Sequence, residues 1–201
     1  MKRNVIAEAI EKTMSNEVQE ITSADTSINS ESIPVVFSTL AEKANKLNIT
    51  LENSVVFDTG CGKYPEIIAD FFKTSNTDYV GRDKFNQPEN VNNSWVDNCK
   101  AAGSVGLNRI FTSSNVMNVI KGENFRIAYL QDIMQYMKPG EKLYITVYDG
   151  DRSGVGRITK TEDGIPKCWQ VNRKYKDYIP ECMKAGFTSV TPKYNMLICE
   201  L

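Results

Sequence analysis

A short apolar segment that runs into a glycine turn constrains the fold of this chain more than any other feature. Residues 55–57 are Val-Val-Phe, which is typical of a short buried β-strand, and Asp-Thr-Gly-Cys-Gly follows at residues 58–62. Residues 63–73 are predicted to form a helix. A strand that turns into a helix through two glycines lets a ligand lie against bare backbone. This glycine turn, residues 58–62, therefore predicts a ligand site in an α/β fold.

The glycine turn does not match two common nucleotide-binding motifs. A P-loop needs G-x-x-x-x-G-K-[ST], which Gly60 and Gly62 do not supply. A dinucleotide-binding fingerprint needs a third glycine where Pro65 stands. Asp58 favours a ligand with hydroxyls or a cationic amine and repels a pyrophosphate, which is the chemistry expected of an S-adenosylmethionine (SAM) site. A glycine turn that binds nothing is the alternative.

A second acid supports a nucleoside ligand. Asp83 follows a predicted strand that ends at Gly81-Arg82, and it comes about 20 residues after Gly62, where doubly wound folds place an acid on a ribose diol. Alone, Asp83 would be interpreted as a solvated loop acid. Together with the glycine turn, it favours the SAM interpretation.

Composition excludes several classes of protein. The chain has 201 residues, 41% of them hydrophobic, and a formal net charge of −1, so its total charge does not draw it to nucleic acid or membrane. No apolar run approaches the ~20 residues of a membrane span, and we expect no membrane partner. Five scattered cysteines without C-x-x-C spacing favour reduced thiols in the cytoplasm. The absence of histidine excludes Ser-His and Cys-His catalysis and the usual zinc sites, so we predict no metal.

Strands and helices alternate along residues 34–201, which follow an N-terminal helix and polar arm predicted for residues 1–33. Strands are predicted at 54–58, 78–82, 109–113 and 142–148, and a final hairpin pairs 187–191 with 194–201 around Pro192-Lys193. This order predicts an α/β fold with a Rossmann-like, mostly parallel sheet, helices on both faces and a C-terminal antiparallel hairpin. Residues 149–171 are predicted to be a polar loop. Ligands bind beyond the carboxyl ends of such strands, so four loops are predicted to border the site: 59–63, 83–87, 113–118 and 149–157.

The D-x-G-x-G turn, the acid after the second strand and the terminal hairpin resemble class I SAM-dependent methyltransferases over residues 34–201. Several stretches also resemble an uncharacterised branch of that family seen in phage and bacterial sequences: Gly62-Lys-Tyr64, Asp83-Lys-Phe-Asn86, 114–120, 148–157 and 169–174. The resemblance implies that SAM is the cofactor and that the chain transfers its methyl group.

The resemblance also implies roles for individual residues. Asp58, Gly60 and Gly62 would border the methionine part of SAM, and Cys61 and Lys63 would also bind the cofactor. Asp83 would bind the ribose hydroxyls, and Phe85 would stack on adenine. Asn115 and Asn118 would lie under the reacting sulfonium, which also makes Asn115 a catalytic candidate. A capped helix start is the alternative for both asparagines.

The methyl acceptor is not predicted by the motifs of known subfamilies. Enzymes that methylate amino groups of nucleic acids carry [DNS]-P-P-[YFW] after the fourth strand, whereas residues 114–117 are Ser-Asn-Val-Met. A Pro-Cys dipeptide, which would indicate a cytosine C5 nucleophile, does not occur. A standard DNA base methyltransferase is therefore not indicated.

The segment 149–176 is the predicted acceptor side. Asp149 and Asp151 follow the strongest predicted strand, where they would orient an acceptor or take its proton; a local turn is the alternative. From Arg152 to Lys176 there are seven basic residues and two acidic ones, which favours an anionic acceptor such as a phosphate or nucleic acid. The predicted substrate-binding residues are Arg152, Arg157, Lys160, Trp169, Arg173 and Lys174. A solvated charged surface with Trp169 in the core is the alternative.

The sequence thus predicts a SAM-dependent methyltransferase whose acceptor is unknown. Two alternatives stay open. One is a protein that binds or degrades SAM without methyl transfer, in a regulatory or anti-defence role. The other is a nucleic-acid-binding module with a vestigial cofactor site.

Overall fold

The computed structural model describes residues 32–160, 164 and 166–201, and within β-strands the side chains of 159–160 and 166–168 are not described. The predicted helix and arm at residues 1–33 lie almost entirely outside the described residues, so the boundary at residue 34 stays a prediction. In the part that is described, no helix is both long enough and apolar enough to cross a membrane.

Helices and strands alternate through most of the described chain. The helices are α1 Val35–Leu47, α2 Pro65–Lys73, α3 Glu89–Val105, α4 Glu123–Met134 and α5 Ile179–Ala185, with a 3₁₀ turn at Tyr175–Tyr178. The strands are β1 Ser54–Thr59, β2 Thr77–Arg82, β3 Asn108–Ser114, β4 Lys142–Thr146, β5 Gly156–Lys160, β6 Pro166–Val171, β7 Ser189–Lys193 and β8 Met196–Glu200.

Six of these strands form one sheet in the order β2-β1-β3-β4-β8-β7. Strands β2, β1, β3 and β4 are parallel, whereas β8 is antiparallel to both β4 and β7. The predicted mostly parallel sheet with a terminal antiparallel hairpin is confirmed. Because parallel strands end at one edge of a sheet, the loops that follow β1–β4 meet there.

Apolar residues cover both faces of this sheet. Helices α1 and α2 pack on one face around Phe37, Val56 and Phe72. The helices α3, α4 and α5 pack on the other face, around Phe57 and Trp95. All six residues of β1 are buried because the strand is central and is covered on both sides.

Two predicted elements differ from the structure. The segment 149–171, predicted as a loop, contains the antiparallel pair β5–β6. Its apolar residues are few and lie between basic ones, so the alternation of apolar and polar residues that indicates a strand is weak. The final hairpin turns at Tyr194-Asn195 and not at Pro192-Lys193, which lie inside β7. Both turn residues have positive φ, at 53° and 58°, as a two-residue hairpin turn requires. Pro192 is tolerated because β7 is an edge strand.

Candidate functional site

The glycine turn is held against the end of β2 by backbone hydrogen bonds. The N–H groups of Gly60 and Cys61 both donate to the carbonyl of Arg82, at 2.8 and 3.1 Å. Gly60 has a φ of +88°, and a Cβ at this position would overlap the side chain of Val116 in the loop after β3. Glycine is therefore required here both by backbone conformation and by a neighbouring loop.

Asp83 lies directly against the glycine turn, as its sequence position predicted. Its Oδ2 accepts the N–H of Gly62 at 3.0 Å. Its Oδ1 accepts the N–H groups of Phe85 and Asn86, both at 2.9 Å. A carboxylate has about four lone-pair directions, so Oδ2 retains capacity for a further donor. The acid joins the loops after β1 and β2 and still offers an acceptor.

Exposed side chains surround this junction. The carbonyl of Gly62 accepts the side-chain amide of Gln87 at 2.7 Å, which holds the two loops together. Phe85 is 41% exposed and Tyr64 is 43% exposed, and Lys63 is exposed beside them. Large aromatic side chains at this edge are available to a ligand without any rearrangement of the core.

Asp58 is a buried acid at the end of the central strand. Only 1% of the residue is exposed. Its Oδ1 accepts the hydroxyl of Thr112 at 2.8 Å, and its Oδ2 accepts the hydroxyl of Tyr79 at 2.9 Å. Burial raises the pKa of Asp58 to about 6, because the charged form loses its hydration. Both oxygens accept from neighbouring strands, and the acid is buried rather than exposed at the edge of the sheet.

The two asparagines of the β3–α4 loop differ in exposure. Asn115 is exposed, has a φ of 59°, and its N–H donates to the carbonyl of Thr146 at 2.9 Å. Asn118 is only 2% exposed, and its Oδ1 is buried without a hydrogen-bond partner among the described residues. Neither residue caps α4, which begins at Glu123 after Gly122. The helix-cap alternative is therefore not observed for α4.

Asp149 and Asp151 follow β4, and the side chain of each accepts a backbone N–H. Asp151 Oδ1 accepts the N–H of Ser153 at 3.2 Å, in the geometry of an Asx turn, and the Asn172 amide at 3.2 Å. These bonds, chiefly the one from Ser153, hold the pKa of Asp151 below its usual value. Asp149 Oδ1 accepts the N–H of Tyr175 at 3.1 Å. The turn alternative is thus supported for Asp151, while Asp149 ties the loop to the 3₁₀ turn.

The predicted substrate-binding residues separate into two groups. Arg152, in the loop after β4, and Arg157, in β5, are exposed, and they pair with Asp149 and Asp151 respectively, each at 3.3 Å. Lys174 is exposed, and the side chain of Lys160 lies outside the described residues.

Trp169 and Arg173 form the second group, which lies beside the start of α4. The indole of Trp169 lies against Gly156, where a Cβ would come within 2.5 Å of the ring. Arg173 pairs with Glu181 of α5 and stacks on Tyr178, with its guanidinium carbon 3.7 Å from the ring centroid. Both residues line one pocket of about 230 Å³.

Arg126 is a site residue that the sequence analysis missed. It is 7% exposed, lines the same pocket, and forms a bidentate pair with Glu181 at 2.7 and 3.0 Å. The available signal was its spacing from Leu130 and Ile133, which places an arginine on the buried stripe of a predicted helix. In the part of the chain described, no group of three or more Asp, Glu, Cys or His side chains is arranged to hold a metal ion.

The arrangement of the sheet was compared with known proteins. A SAM-dependent methyltransferase from Methanosarcina mazei has a TM-score of 0.52 and 13% identity, over 78% of this chain and 96% of that chain. One from Clostridium acetobutylicum ATCC 824 has a TM-score of 0.50 and 12% identity, over 100% and 99%. The chain has the class I SAM-dependent methyltransferase fold. No protein-family model and no curated protein sequence matches it. At this level of identity the likeness of the methyltransferase structures establishes the fold alone.

Proposed function

We propose that this chain is a SAM-dependent methyltransferase that binds SAM across the loops after β1 and β2. The observation that carries the proposal is the contact between Asp83 and the glycine turn, where Asp83 Oδ2 lies 3.0 Å from the Gly62 nitrogen. It puts a ribose-binding acid beside bare glycine backbone at the carboxyl edge of the sheet. The fold shared with SAM-dependent methyltransferases supports the same assignment.

The residues at this edge fit the parts of SAM. The free acceptor capacity of Asp83 Oδ2 suits a ribose hydroxyl, and the exposed ring of Phe85 suits a face of adenine. The buried Asp58 supplies negative charge under the turn, which favours a cationic amine and sulfonium. Asn118, in the loop after β3, offers a further acceptor, because its Oδ1 has no hydrogen-bond partner among the described residues. The exposed Lys63 and Asn115 complete the proposed rim.

Bound SAM supplies an electrophilic methyl group, and the chain's own residues position an acceptor and exclude water. We assign the acceptor to the side formed by residues 149–176 and expect it to be anionic. Of the two aspartates, Asp149 is the better candidate for the base. The lowered pKa of Asp151 makes that carboxylate a poorer proton acceptor, and its oxygens are taken up in a turn.

The cofactor site is tested by calorimetric titration of S-adenosylhomocysteine into wild type, Asp83→Asn and Asp78→Asn. Asp78 is a matched control because it is an exposed acid on β2, the strand that precedes Asp83. We expect Asp83→Asn to weaken binding about 30-fold or more, since it loses charge-assisted hydrogen bonds worth about 2 kcal/mol. Asp78→Asn should bind as wild type does. Wild-type affinity in folded Asp83→Asn would refute the site.

A second experiment separates transfer from the two alternatives. Wild-type protein is incubated with methyl-labelled SAM alone, and the label is followed by chromatography. A methyltransferase leaves SAM largely intact until an acceptor is added, whereas a SAM-degrading enzyme consumes it. Binding without turnover in the presence of any acceptor would favour a non-catalytic SAM binder. No binding of SAM at all would favour the vestigial site.

A further inference from the structure

A small pocket lies between the start of α4 and the β5–β6 hairpin. Its volume is about 230 Å³, and its walls include Arg126, Trp169 and Arg173. Gly122, Gly154 and Gly156 also line it. We call it the arginine pocket. None of its polar contacts involves the glycine turn or Asp83, so it is separate from the proposed cofactor site.

The arginine pocket carries an uncompensated positive charge. Arg126 and Arg173 share one carboxylate, that of Glu181, which is only 3% exposed. Glu123, which precedes Arg126 on α4, pairs with Lys184 and acts on the two arginines at longer range. Two guanidinium groups and one carboxylate leave one positive charge in a largely buried place. Such a charge is costly without a partner, and a bound anion would supply that partner.

A structural role for these residues accounts for only part of this arrangement. Arg126 alone satisfies both oxygens of Glu181 and also donates to the carbonyl of Ile120 at 2.8 Å, so the link between α4 and α5 is complete without Arg173. Arg173 adds charge but no new acid. Its Nε is buried and has no hydrogen-bond partner among the described residues. The second arginine is the feature that a purely structural clamp leaves unexplained.

The walls of the arginine pocket select the size and shape of a ligand. The indole of Trp169 packs on Gly156 and lines the pocket, which gives the pocket an aromatic wall. A volume of about 230 Å³ suits a small molecule. The arginines that a nucleic-acid backbone would need on an open surface, Arg152 and Arg157, pair with aspartates elsewhere. These features favour a small planar anion over a polymer.

The arginine pocket adjoins the loop that would lie beneath the reacting methyl group. The N–H of Val171, which lines the pocket, donates to the carbonyl of Asn118 at 2.8 Å. Arg126 reaches the carbonyl of Ile120 in the same loop. A molecule held by the two arginines is therefore one loop away from the proposed transfer site.

We propose that the arginine pocket binds the carboxylate or phosphate group of a small aromatic methyl acceptor, with Arg126 and Arg173 on the anion and Trp169 on the ring. This assignment rests on the proposed function, because only a methyltransferase has a methyl acceptor. Guanidinium groups bind both carboxylates and phosphates in bidentate fashion, so the two anions are separate arms of the test.

The test is a fluorescence titration of the full chain with benzoate, phenyl phosphate and the neutral isostere benzamide. The chain has two tryptophans, and Trp95 is fully buried in the core, so ligand-dependent changes report on Trp169. We expect one or both anions to saturate the signal and benzamide to have no effect. The compound that saturates the signal at the lower concentration, benzoate or phenyl phosphate, identifies whether the pocket prefers a carboxylate or a phosphate. Equal effects of benzoate and benzamide, or none from either anion, would overturn the proposal.

Three variants distinguish an anion site from a structural cluster. Arg173→Gln should weaken anion binding about tenfold or more, whereas Arg173→Lys, which keeps the charge but loses the planar guanidinium, should weaken it less. Glu181→Gln should tighten binding, because it removes the competing carboxylate. Lys184→Gln is the matched control, since it removes an exposed positive charge from α5, the helix that contains Glu181. If Glu181→Gln weakened binding as Arg173→Gln does, the cluster would be structural only.

A titration with S-adenosylhomocysteine keeps this proposal separate from the proposed function. S-adenosylhomocysteine is titrated into the same preparations. Anion binding without S-adenosylhomocysteine binding would leave an anion site and refute the role as acceptor pocket together with the proposed function. Binding of S-adenosylhomocysteine without any response to the anions would refute the acceptor proposal alone.

Discussion

The glycine turn and the arginine pocket lie at the same edge of the sheet but are held in different ways. The glycine turn is joined to β2 by backbone hydrogen bonds and by one close approach, that of Val116 to Gly60. The arginine pocket is held by ion pairs between side chains that are far apart in sequence, such as Arg126 and Glu181. The first region should therefore be sensitive to added volume and to buried charge, and the second to changes of surface and pocket charge.

The largest expected effect is the loss of stability on adding one methyl group to the glycine turn. Gly60→Ala puts a Cβ on a residue with a φ of +88° and drives it into Val116. Left-handed backbone and overpacking together cost about 2 to 5 kcal/mol. Urea unfolding followed by circular dichroism measures the loss.

Gly106→Ala is the matched control for Gly60→Ala. Gly106 has a similar φ of +75°, but nothing lies within 4 Å of an added Cβ. Gly106→Ala should lower the free energy of unfolding only by the cost of left-handed backbone, about 1 to 2 kcal/mol. Adding Val116→Ala to Gly60→Ala should recover the difference between the two glycine variants. If both glycine variants cost the same, the close approach of Val116 contributes nothing.

The second prediction concerns the buried charge beneath the glycine turn. The pKa of Asp58 rises from its usual 3.8 to about 6 in the folded chain, so ionisation opposes folding. The stability that the neutral acid provides is fully present below pH 3.8 and is lost as the pH rises through about 6. The shift corresponds to about 3 kcal/mol at neutral pH. Wild type should lose about that much relative to Asp58→Asn between acid and neutral pH.

The measurement is the free energy of unfolding by urea at a series of pH values for both proteins. Asp58→Asn has no charge to lose, and the hydroxyls of Thr112 and Tyr79 can reorient around its amide. Its stability should therefore show a weaker fall with rising pH. Parallel curves for the two proteins would mean that Asp58 has an ordinary pKa. Bound SAM should flatten the wild-type curve, because its positive sulfonium favours the charged form of Asp58. S-Adenosylhomocysteine lacks the sulfonium and should not have this effect.

These two regions also differ in how far the sequence predicted them. The glycine turn and Asp83 depend on local strand-to-helix patterns, and the structure brings them together as expected. Arg126 acquires its role through Glu181, 55 residues later in the chain, and no local pattern contains that partner. The β5–β6 hairpin was missed because basic and apolar residues are mixed along its strands, which leaves little hydrophobic periodicity.

The basic residues of the segment 149–176 show the same dependence on their partners in the fold. The segment from Arg152 to Lys176 is rich in basic residues, but its charge is divided by the fold. Arg152 and Arg157 pair with aspartates of the preceding loop, whereas Arg173 turns inwards to Glu181. Only the inward arginine meets a second one, Arg126, from another element. The sequence therefore gives the number of basic residues in the segment but not the partner of each one.

The smallest expected effect separates the rim of the hairpin from the arginine pocket. Arg157 is exposed and pairs with Asp151 at 3.3 Å, so solvent and salt screen its charge. Arg157→Gln should weaken the binding of benzoate or phenyl phosphate about two- to threefold, against about tenfold or more for Arg173→Gln. Fluorescence titrations at low and high salt measure both variants, and the effect of Arg157→Gln should disappear at high salt while that of Arg173→Gln persists. An equal, salt-resistant loss in Arg157→Gln would show that the anion contacts the outer loop, and the division between rim and pocket would then be wrong.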